Sequence, residues 1–311
     1  MSAVIQFMGY AKWWILSKLG RKVPLVNTMG ILTNCNLRCK HCSIAQNLDK
    51  DPSLNVRLSY EEIIDDLTYR YKQGARIAYF EGGETTLWKD GNKDLGNLID
   101  AAHRIGYYNV GYTTNGTTGK IFTNSDVISV SLDGTREIHD YVRGEGVFDK
   151  LMNTLDNLDF DGAVYANMVL QEGNLHVIRD VAQLVKDNKT LSGIVFNFLT
   201  PPPYDNSPTH DQRVAAVEEI RQLKKEKFPI LNSKKGLELL TVDDWSEKCP
   251  KYMSAFILPN GEHKMGCPSE GTESCKRCGY AAVREYYLVH RGSPSTILEM
   301  SSIFAMGKKK K

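Results

Sequence analysis

The chain has 311 residues, of which 41% are hydrophobic and 24% charged, and its formal net charge is +2. These fractions are those of an ordinary globular protein rather than of a disordered or fibrous chain. So small a charge supplies no global field that would attract nucleic acid or a membrane. No apolar run approaches the ~20 residues of a membrane-spanning helix. The length suits one large domain, alone or with an appendage.

Residues 1–23 predict an amphipathic helix. Its apolar residues recur at helical spacing, at Val4, Met8, Ala11, Ile15 and Leu19. The segment also holds Trp13, Trp14 and several basic residues, but no acid. Two interpretations are open: an interfacial helix with tryptophan at the level of lipid headgroups, or a helix that buries this stripe against the end of a barrel. The terminal sequence GKKKK is expected to be a solvated tail.

From residue 24 onwards the sequence alternates strand-like and helix-like segments. It predicts strands at 25–32, 76–81, 107–112, 126–132, 164–170 and 193–199, and helices at 59–73, 92–105, 147–158, 175–188 and 208–227. Ser59 and Glu62 are placed as a capping box, and Gly74 as the helix stop. The spacing predicts parallel βαβ units in an α/β fold. Near-continuous apolar strands predict a sheet covered on both faces, as in a doubly wound sheet or a partial (β/α)6 barrel.

Three cysteines follow the first predicted strand on a polar loop: Cys35, Cys39 and Cys42. Thiolates select zinc, copper(I) or iron–sulfur clusters. The spacing C-x3-C-x2-C leaves one corner of a cubane cluster without a protein ligand, whereas structural zinc usually takes four. A disulfide framework is disfavoured, because the chain has an odd total of seven cysteines and no signal peptide precedes them.

Polar residues follow the next three predicted strands: Gly82, Gly83 and Glu84, then Asn115, then Ser131 and Asp133. In parallel α/β folds, functional sites collect in the loops beyond the carboxyl ends of the strands. A glycine pair lets the backbone approach a ligand closely, and Glu84 can accept a hydrogen bond from an ammonium group. Each residue alone would suit an ordinary turn or cap. Their succession after the cysteine loop predicts a binding site.

The remaining cysteines form a second group with the pattern C-x17-C-x7-C-x2-C: Cys249, Cys267, Cys275 and Cys278. Within it, AFILPNGEHKMGC predicts a hairpin that turns at Asn260-Gly261, followed by a helix from about Gly279. Four thiolates can satisfy a zinc site as well as a cubane cluster, so both remain open at this point.

The loop CNLRCKHC resembles the cluster loop of the radical S-adenosylmethionine (SAM) superfamily, C-x3-C-x-aromatic-C, with His41 at the ring position. The resemblance extends over about residues 24–230 and implies a partial (β/α)6 TIM-like barrel. It also implies that Cys35, Cys39 and Cys42 hold a [4Fe–4S] cluster whose free iron binds SAM. An electron from the cluster would then cleave SAM to methionine and a 5′-deoxyadenosyl radical.

The same resemblance implies roles for the polar residues. Those that match the SAM-binding residues of the family are Gly82, Gly83 and Glu84 for the ammonium group, Ser131 and Asp133 for the ribose, and Arg143 for the carboxylate. A surface salt bridge is the alternative for Arg143. Asn167 lies on the fifth strand, where this sequence departs from the G-x-I-x-G-x-x-E pattern of many members.

The C-terminal hairpin and helix resemble the twitch form of the SPASM subdomain. This implies an auxiliary [4Fe–4S] cluster on the second cysteine group. Such a cluster has no open iron, so we expect electron transfer or structural support rather than substrate binding. The expected domains are a helix at 1–23, the barrel at 24–230, a twitch-like subdomain at 231–290 and a tail at 291–311.

We therefore predict a radical SAM enzyme that modifies an unactivated C–H or C=C bond of a lipid, isoprenoid or other small molecule. The barrel also resembles the adenosylhopane-forming branch. A peptide-modifying maturase is the alternative enzyme, and a zinc-knuckle binding protein the alternative from another class. No cysteine is spare for an epimerase or an RNA methylase, and no cobalamin-binding domain is evident.

The expected partners are an external electron donor of the flavodoxin or ferredoxin type and a lipid, small-molecule or peptide substrate. Nucleic acid is not expected. Thiolate ligands of an oxygen-labile cluster imply a reducing compartment, so the cytoplasm is expected, with peripheral membrane contact as a further possibility.

Overall fold

A central sheet organises the protein, for which a computed structural model describes residues 3–200 and 206–306. The strands of this sheet are β1 (Val26–Leu32), β2 (Ile77–Gly82), β5 (Asn109–Thr114), β6 (Val127–Ser131), β7 (Ala163–Leu170), β8 (Gly193–Phe198), β9 (Ser254–Ile257) and β10 (His263–Met265). A separate two-stranded sheet is formed by β3 (Lys89–Asp90) and β4 (Lys93–Asp94).

The helices surround this sheet. They are α1 (Ala3–Lys18), α2 (Ser43–Lys50), α3 (Tyr60–Gln73), α4 (Leu95–Ile105), α5 (Arg136–Arg143), α6 (Val147–Asp156), α7 (Ile178–Asp187), α8 (His210–Lys225), α9 (Lys234–Leu239), α10 (Ala281–His290) and α11 (Pro294–Met306).

The strand order is β10-β9-β1-β2-β5-β6-β7-β8. The six predicted strands lie side by side and parallel, as crossover connections require. The hairpin β9–β10 continues the sheet beyond β1, with β9 parallel to β1. Within the described residues no ladder joins β8 to β10, so the sheet curves without closing. The predicted α/β partial barrel is confirmed.

Local signals in the sequence explain several boundaries. The capping box of Ser59 and Glu62 is present at the start of α3, which ends at Gly74 with a φ of +127°. Helix α4 begins at Leu95 rather than at 92, because residues 93–94 pair with 89–90 and Asp94 forms the cap. Helix α7 begins at Ile178 rather than at 175, after a 3₁₀ turn. Helix α5 was not predicted.

The two faces of the sheet differ. Outward-facing residues such as Phe80 and Ile128 are fully buried and pack with helix residues such as Ile63 and Leu98. Inward-facing residues line a cavity, and many are polar, among them Tyr79, Thr113, Ser129, Asn167 and Asn197. Helices thus cover the outer face of the sheet, while its inner face borders the cavity, as the predicted partial barrel implies.

The C-terminal region contains the predicted hairpin and helix, and it has two features that were not predicted. The hairpin joins the central sheet, because Val26–Met29 of β1 pair with Ser254–Ile257 of β9. Within the segment expected as a tail, Pro294–Met306 form α11. Proline suits the first turn of a helix, where its missing N–H has no partner to lose. Residues 307–311, the GKKKK segment, lie outside the described residues.

Helix α1 gives its two tryptophans different environments. Trp13 is buried in a small core with Val23, Leu25 and Met253, and its indole N–H donates to the Val23 carbonyl at 2.9 Å. Trp14 is 37% exposed, and Met8, Ile15 and Leu19 are exposed as well. The Val4 side chain lies outside the described residues. Among the described helices, none has the length and apolar character needed to cross a membrane.

Candidate active site

The first cysteine group lies between β1 and α2, and its thiols are free. Burial, together with the charges of Glu84, Cys39 and Cys42, raises the pKa of Cys35 to about 11, although the Leu37 N–H, which donates to its sulfur at 3.4 Å, acts to lower it. Burial likewise raises the pKa of Cys39. The three sulfurs are thus close enough to repel one another as thiolates, and a bound cation would relieve that repulsion.

Glu84 is buried behind this loop and accepts four hydrogen bonds from its own chain. One oxygen accepts from the Thr86 N–H at 3.2 Å, the Thr86 hydroxyl at 2.7 Å and the Thr114 hydroxyl at 2.6 Å. The other accepts from the Asn115 N–H at 2.7 Å. A carboxylate offers about four acceptor sites. Glu84 therefore ties the end of β2 to the end of β5 and has little capacity left for an ammonium group.

Gly82 and Gly83 approach protein backbone rather than open space. A Cβ on Gly82, whose φ is +143°, would lie 2.3 Å from the Leu32 carbonyl oxygen, and one on Gly83 would lie 2.1 Å from that of Asn34. The Gly83 N–H donates to Leu32 and the Glu84 N–H to Asn34. The glycine pair thus lets the end of β2 pack against the start of the cysteine loop, which differs from the close approach to a ligand expected from the sequence.

Asp133 and Arg143 form a buried ion pair, in which the Arg143 Nε donates to Asp133 Oδ2 at 2.7 Å. Burial alone would raise the pKa of Asp133, but Arg143 and then His41 hold it below its usual value. Asp133 also accepts from the Val169 N–H at 3.0 Å. Arg143 lies 3.9 Å from the Cys39 sulfur. The surface salt bridge considered for Arg143 is wrong, and both residues are engaged within the protein.

Three other predicted residues retain polar atoms towards the cavity or the cysteine loop. Asn115 donates to Asn36 at 2.9 Å and lies 3.9 Å from the Cys35 sulfur. His41 is 3.8 Å from Asp133, and its buried Nδ1 has no partner among the described residues. Asn167 accepts from Asn197 at 2.7 Å and is paired in register with Ser131.

The second cysteine group is also a cluster of free, partly buried thiols. Burial, together with the charges of Cys278, Cys267 and Cys275, raises the pKa of Cys249 to about 12. The Ser269 N–H donates to the Cys267 sulfur at 3.4 Å. Arg284 donates to the Cys278 carbonyl at 2.7 Å, and the Phe198 N–H donates to the Gly279 carbonyl at 2.9 Å. These bonds fix the second group against the end of β8.

A cavity of about 2140 Å³ brings the two groups together. It lies inside the curved sheet and is lined by Cys42 of the first group and by Cys249 and Cys267 of the second. Its walls carry His41 and Asn167 from the predicted site. Two cysteine motifs that lie far apart in the sequence therefore border the same cavity.

Several residues of this site were missed from the sequence. They are Thr86 and Thr114 beside Glu84, His139 and Asn174 beside Asp133, and Glu81 and Asn197 in the cavity wall. Thr114 and Asn174 meet residues far away in the chain, whereas Thr86 and His139 lie two and six residues from Glu84 and Asp133. For Glu81 and Asn197, the alternation of side chains along β2 and β8 was the one sequence pattern that could have indicated an inward-facing position.

The comparison with known families settles what kind of protein this is. Residues 29–185 match the profile described as the radical SAM superfamily. The chain belongs to the radical SAM superfamily. Its cofactors are therefore a [4Fe–4S] cluster and SAM, and relatives of the SPASM/twitch type carry auxiliary clusters. The free thiols of both groups, crowded together without disulfides, fit such clusters.

Individual radical SAM relatives match part of the chain. The mycofactocin maturase MftC of Mycobacterium tuberculosis is 30% identical over 179 residues, which cover 53% of this chain and 42% of that protein. The Fe-coproporphyrin III synthase of Methanosarcina barkeri is 33% identical over 180 residues, covering 54% and 42%. The chain thus spans less than half the length of these curated relatives.

Solved structures show the same fold over most of the chain. The structure of Streptococcus suis SuiB bound to the precursor peptide SuiA has a TM-score of 0.64, with 14% sequence identity over 89% of this chain and 68% of that chain. At this identity the likeness shows the radical SAM fold alone.

Proposed function

We propose that this radical SAM enzyme oxidises a peptide segment inside the cavity of the curved sheet. The observation that carries the proposal is the shared cavity, because it opens both cysteine groups to one substrate. Cys35, Cys39 and Cys42 would hold the SAM-binding cluster, and Cys249, Cys267, Cys275 and Cys278 the auxiliary cluster. When bound, SAM and its cluster supply a radical able to abstract hydrogen from an unactivated C–H bond.

The residues around the first group position its cysteines and exclude water. Glu84 holds the loops after β2 and β5 together, while Arg143 sets its charge beside Cys39 and is itself held by Asp133. We assign Glu84 and Asp133 to positioning rather than to direct SAM contact. The groups left for SAM are His41 Nδ1, Ser131 and Asn167, together with the Gln171 side-chain amide, whose buried nitrogen lacks a partner among the described residues.

The family supports clusters rather than zinc. Across residues 3–200 and 206–306, no three His, Cys, Asp or Glu side chains converge closely enough to hold a single metal ion, so the support comes from the match of residues 29–185 to the radical SAM superfamily. Its members use a [4Fe–4S] cluster with SAM, and relatives of the SPASM/twitch type carry auxiliary clusters.

The likeness to the maturase MftC supports a peptide over an isoprenoid. The cavity wall is mainly apolar with interspersed polar residues, of which Tyr79 pairs with Thr113 and Asn197 with Asn167. Such a mixed wall suits a peptide that carries both apolar and polar groups. The SuiB relative has been solved with a precursor peptide. A polar small molecule is the second candidate, favoured by the likeness to the Fe-coproporphyrin III synthase.

The test is anaerobic reconstitution followed by product analysis. Iron and sulfide near eight each per chain are expected for two cubanes, and zinc without sulfide would contradict the proposal. The protein, SAM and dithionite are then incubated with a peptide extract or a lipid extract, and the products are identified by mass spectrometry. Free 5′-deoxyadenosine with an oxidised peptide is the expected result. A deoxyadenosyl adduct of a lipid would replace the peptide proposal with the isoprenoid one.

A further inference from the structure

Glu81 lies on the inward face of β2, two residues after Tyr79 and directly before Gly82. Its side chain lines the cavity. In the sheet its register partner on β1 is Gly30, which contributes no side chain that could pair with it. The carboxylate therefore borders the same space as the two cysteine groups.

The Glu81 carboxylate has no hydrogen bond or ion pair within the part of the chain that the structure describes. The basic side chains that line the cavity have other partners: His41 lies near Asp133, His103 near Asp126, and Lys251 near Glu270. The half-buried carboxylate thus faces no cation of the described chain. An unpaired carboxylate that is partly withdrawn from water is unfavourable, so a ligand that supplied a positive charge would be bound favourably.

The other carboxylates that line the cavity differ from Glu81. Asp126 accepts from the Val110 N–H at 2.8 Å, and Glu285 accepts from the Ser233 N–H at 2.8 Å. Asp159 and Asp161 are exposed in the loop before β7. Glu81 is therefore the cavity carboxylate whose position inside the sheet and lack of partners both point to a ligand.

Aromatic rings accompany it. Tyr79, Tyr165 and Tyr286 line the cavity with Glu81. Burial raises the pKa of Tyr286, and the charges of Tyr79 and Glu81 add to this, which places these groups near one another. The faces of aromatic rings attract organic cations, most strongly where water is excluded. A carboxylate among tyrosines is a setting suited to an ammonium or guanidinium group.

Building on the proposed function, we propose that Glu81 binds an N–H-bearing cation of the substrate, a primary ammonium or guanidinium group, and so fixes which part of the substrate faces the reacting atoms. The ion pair would be charge-assisted, with the cation donating hydrogen bonds to the carboxylate. Glu81 then determines specificity, because a neutral analogue would leave it unpaired.

Binding of a matched pair of probes tests the proposal. Benzylamine and benzyl alcohol have similar shapes, and only the amine is cationic at pH 8. Isothermal titration of the anaerobic holoenzyme with SAM present is expected to show at least about tenfold tighter binding of the amine. Glu81→Gln should remove this preference and Glu81→Asp should keep part of it. Asp161→Asn, which removes an exposed carboxylate in the loop before β7, is the control and should keep all of it.

Equal binding of the two probes by wild type overturns the proposal, and so does a preference that survives in Glu81→Gln. A second pair, acetyl-Gly-Lys-Gly-amide and its norleucine analogue, identifies the source of the cation. Tighter binding of the lysine peptide than of benzylamine assigns the cation to a peptide, and the reverse assigns it to a small amine.

Reductive SAM cleavage by wild type is measured in parallel. Its absence would count against the proposed function. Its presence without an amine preference would count against the role of Glu81 alone.

Discussion

At the scale of single residues, the carboxylates near the cysteine loop divide according to their partners. Glu84 and Asp133 accept hydrogen bonds from their own chain, whereas Glu81 faces the cavity without a donor among the described residues. Substitution of the first two should therefore act on the stability of the loops. Substitution of Glu81 should change which ligands bind in the cavity.

Glu84→Ala removes the acceptor of four buried hydrogen bonds. Each donor left unsatisfied costs roughly 1–3 kcal/mol, so we expect the free energy of unfolding to fall by on the order of 3 kcal/mol. Urea unfolding of the anaerobic protein measures this. The control is Glu145→Ala at an exposed site, which should stay within about 0.5 kcal/mol. Full stability with weakened SAM binding would instead restore the ammonium role predicted from the sequence.

Cys39→Ala removes one of the three thiols of the first group. Because a cubane needs its thiolate ligands, we expect reductive cleavage of SAM to 5′-deoxyadenosine to be abolished and iron per chain to fall by about half. Chromatography of the nucleoside product and an iron assay measure the two effects. Cleavage at the wild-type rate would contradict the assignment of this group.

The pH dependence of stability should reveal the raised pKa of the half-buried Glu81. Burial raises its pKa to about 7, so the native state holds this proton more tightly than the unfolded state does. Stability then falls as pH rises from the ordinary glutamate value through about 7. Relative to Glu81→Gln, wild type should lose on the order of 1–2 kcal/mol between pH 5 and pH 8. Urea unfolding at both pH values measures it, and a difference independent of pH would contradict the expectation.

At the scale of elements, helix α1 offers a matched pair of substitutions. Trp13 is buried and hydrogen-bonded, so Trp13→Ala should cost about 3–5 kcal/mol of unfolding free energy. Trp14 is partly exposed beside Lys18, so Trp14→Ala should cost clearly less, about 1 kcal/mol. Urea unfolding of both variants separates the barrel-cap role of one face from any role of the other.

The exposed face of α1 allows a test of whether this helix binds a membrane surface. If it binds lipid, wild type should co-sediment with anionic vesicles, Trp14→Ala should bind less, and added salt should weaken binding by screening. Equal sedimentation of wild type and Trp14→Ala would leave α1 with the cap role alone.

Most elements could be predicted from the sequence because their signals are local. The capping box at Ser59 and the turn at Asn260-Gly261 lie within a few residues of the structures they fix. Helix α5 was missed because it is short and follows a strand end already read as a binding loop. Helix α11 was missed because its residues were read as a tail. Neither error involves the sheet.

At the scale of the whole molecule, we expect the two cysteine groups to serve different steps of the reaction. Cys275→Ala with Cys278→Ala removes thiols only from the second group, so we expect about half the iron of wild type, some 5′-deoxyadenosine under dithionite, and no oxidised product. Mass spectrometry and an iron assay measure these outcomes. Lys276→Ala, an exposed change between the two cysteines, is the control.

Other outcomes for the double variant have distinct meanings. Product formation at the wild-type level would show that the second group is dispensable for the reaction. Loss of soluble protein would indicate a folding role, because metal binding and folding are coupled in small metal-binding units.

The cysteines could be identified from the sequence because the spacing of metal ligands is a local pattern. The structural roles of Glu84, Asp133 and Gly83 could not be identified in this way. Each is satisfied by partners brought close only by the sheet: Thr114 and Asn115 for Glu84, Val169 for Asp133, and Asn34 for Gly83. The family pattern places such residues at the right strand ends. It does not show whether a carboxylate points to a ligand or to its own chain.

The pairing of β1 with β9 also bears on how the protein is made. Residue 26, near the start of the chain, pairs with residue 254 in the β1–β9 ladder. During synthesis, this edge of β1 therefore remains unpaired until most of the chain has left the ribosome. An unpaired strand edge is a template for aggregation. Nascent chains stalled before β9 should therefore depend on chaperones, and cluster insertion into the first cysteine loop should be more efficient after release than during translation.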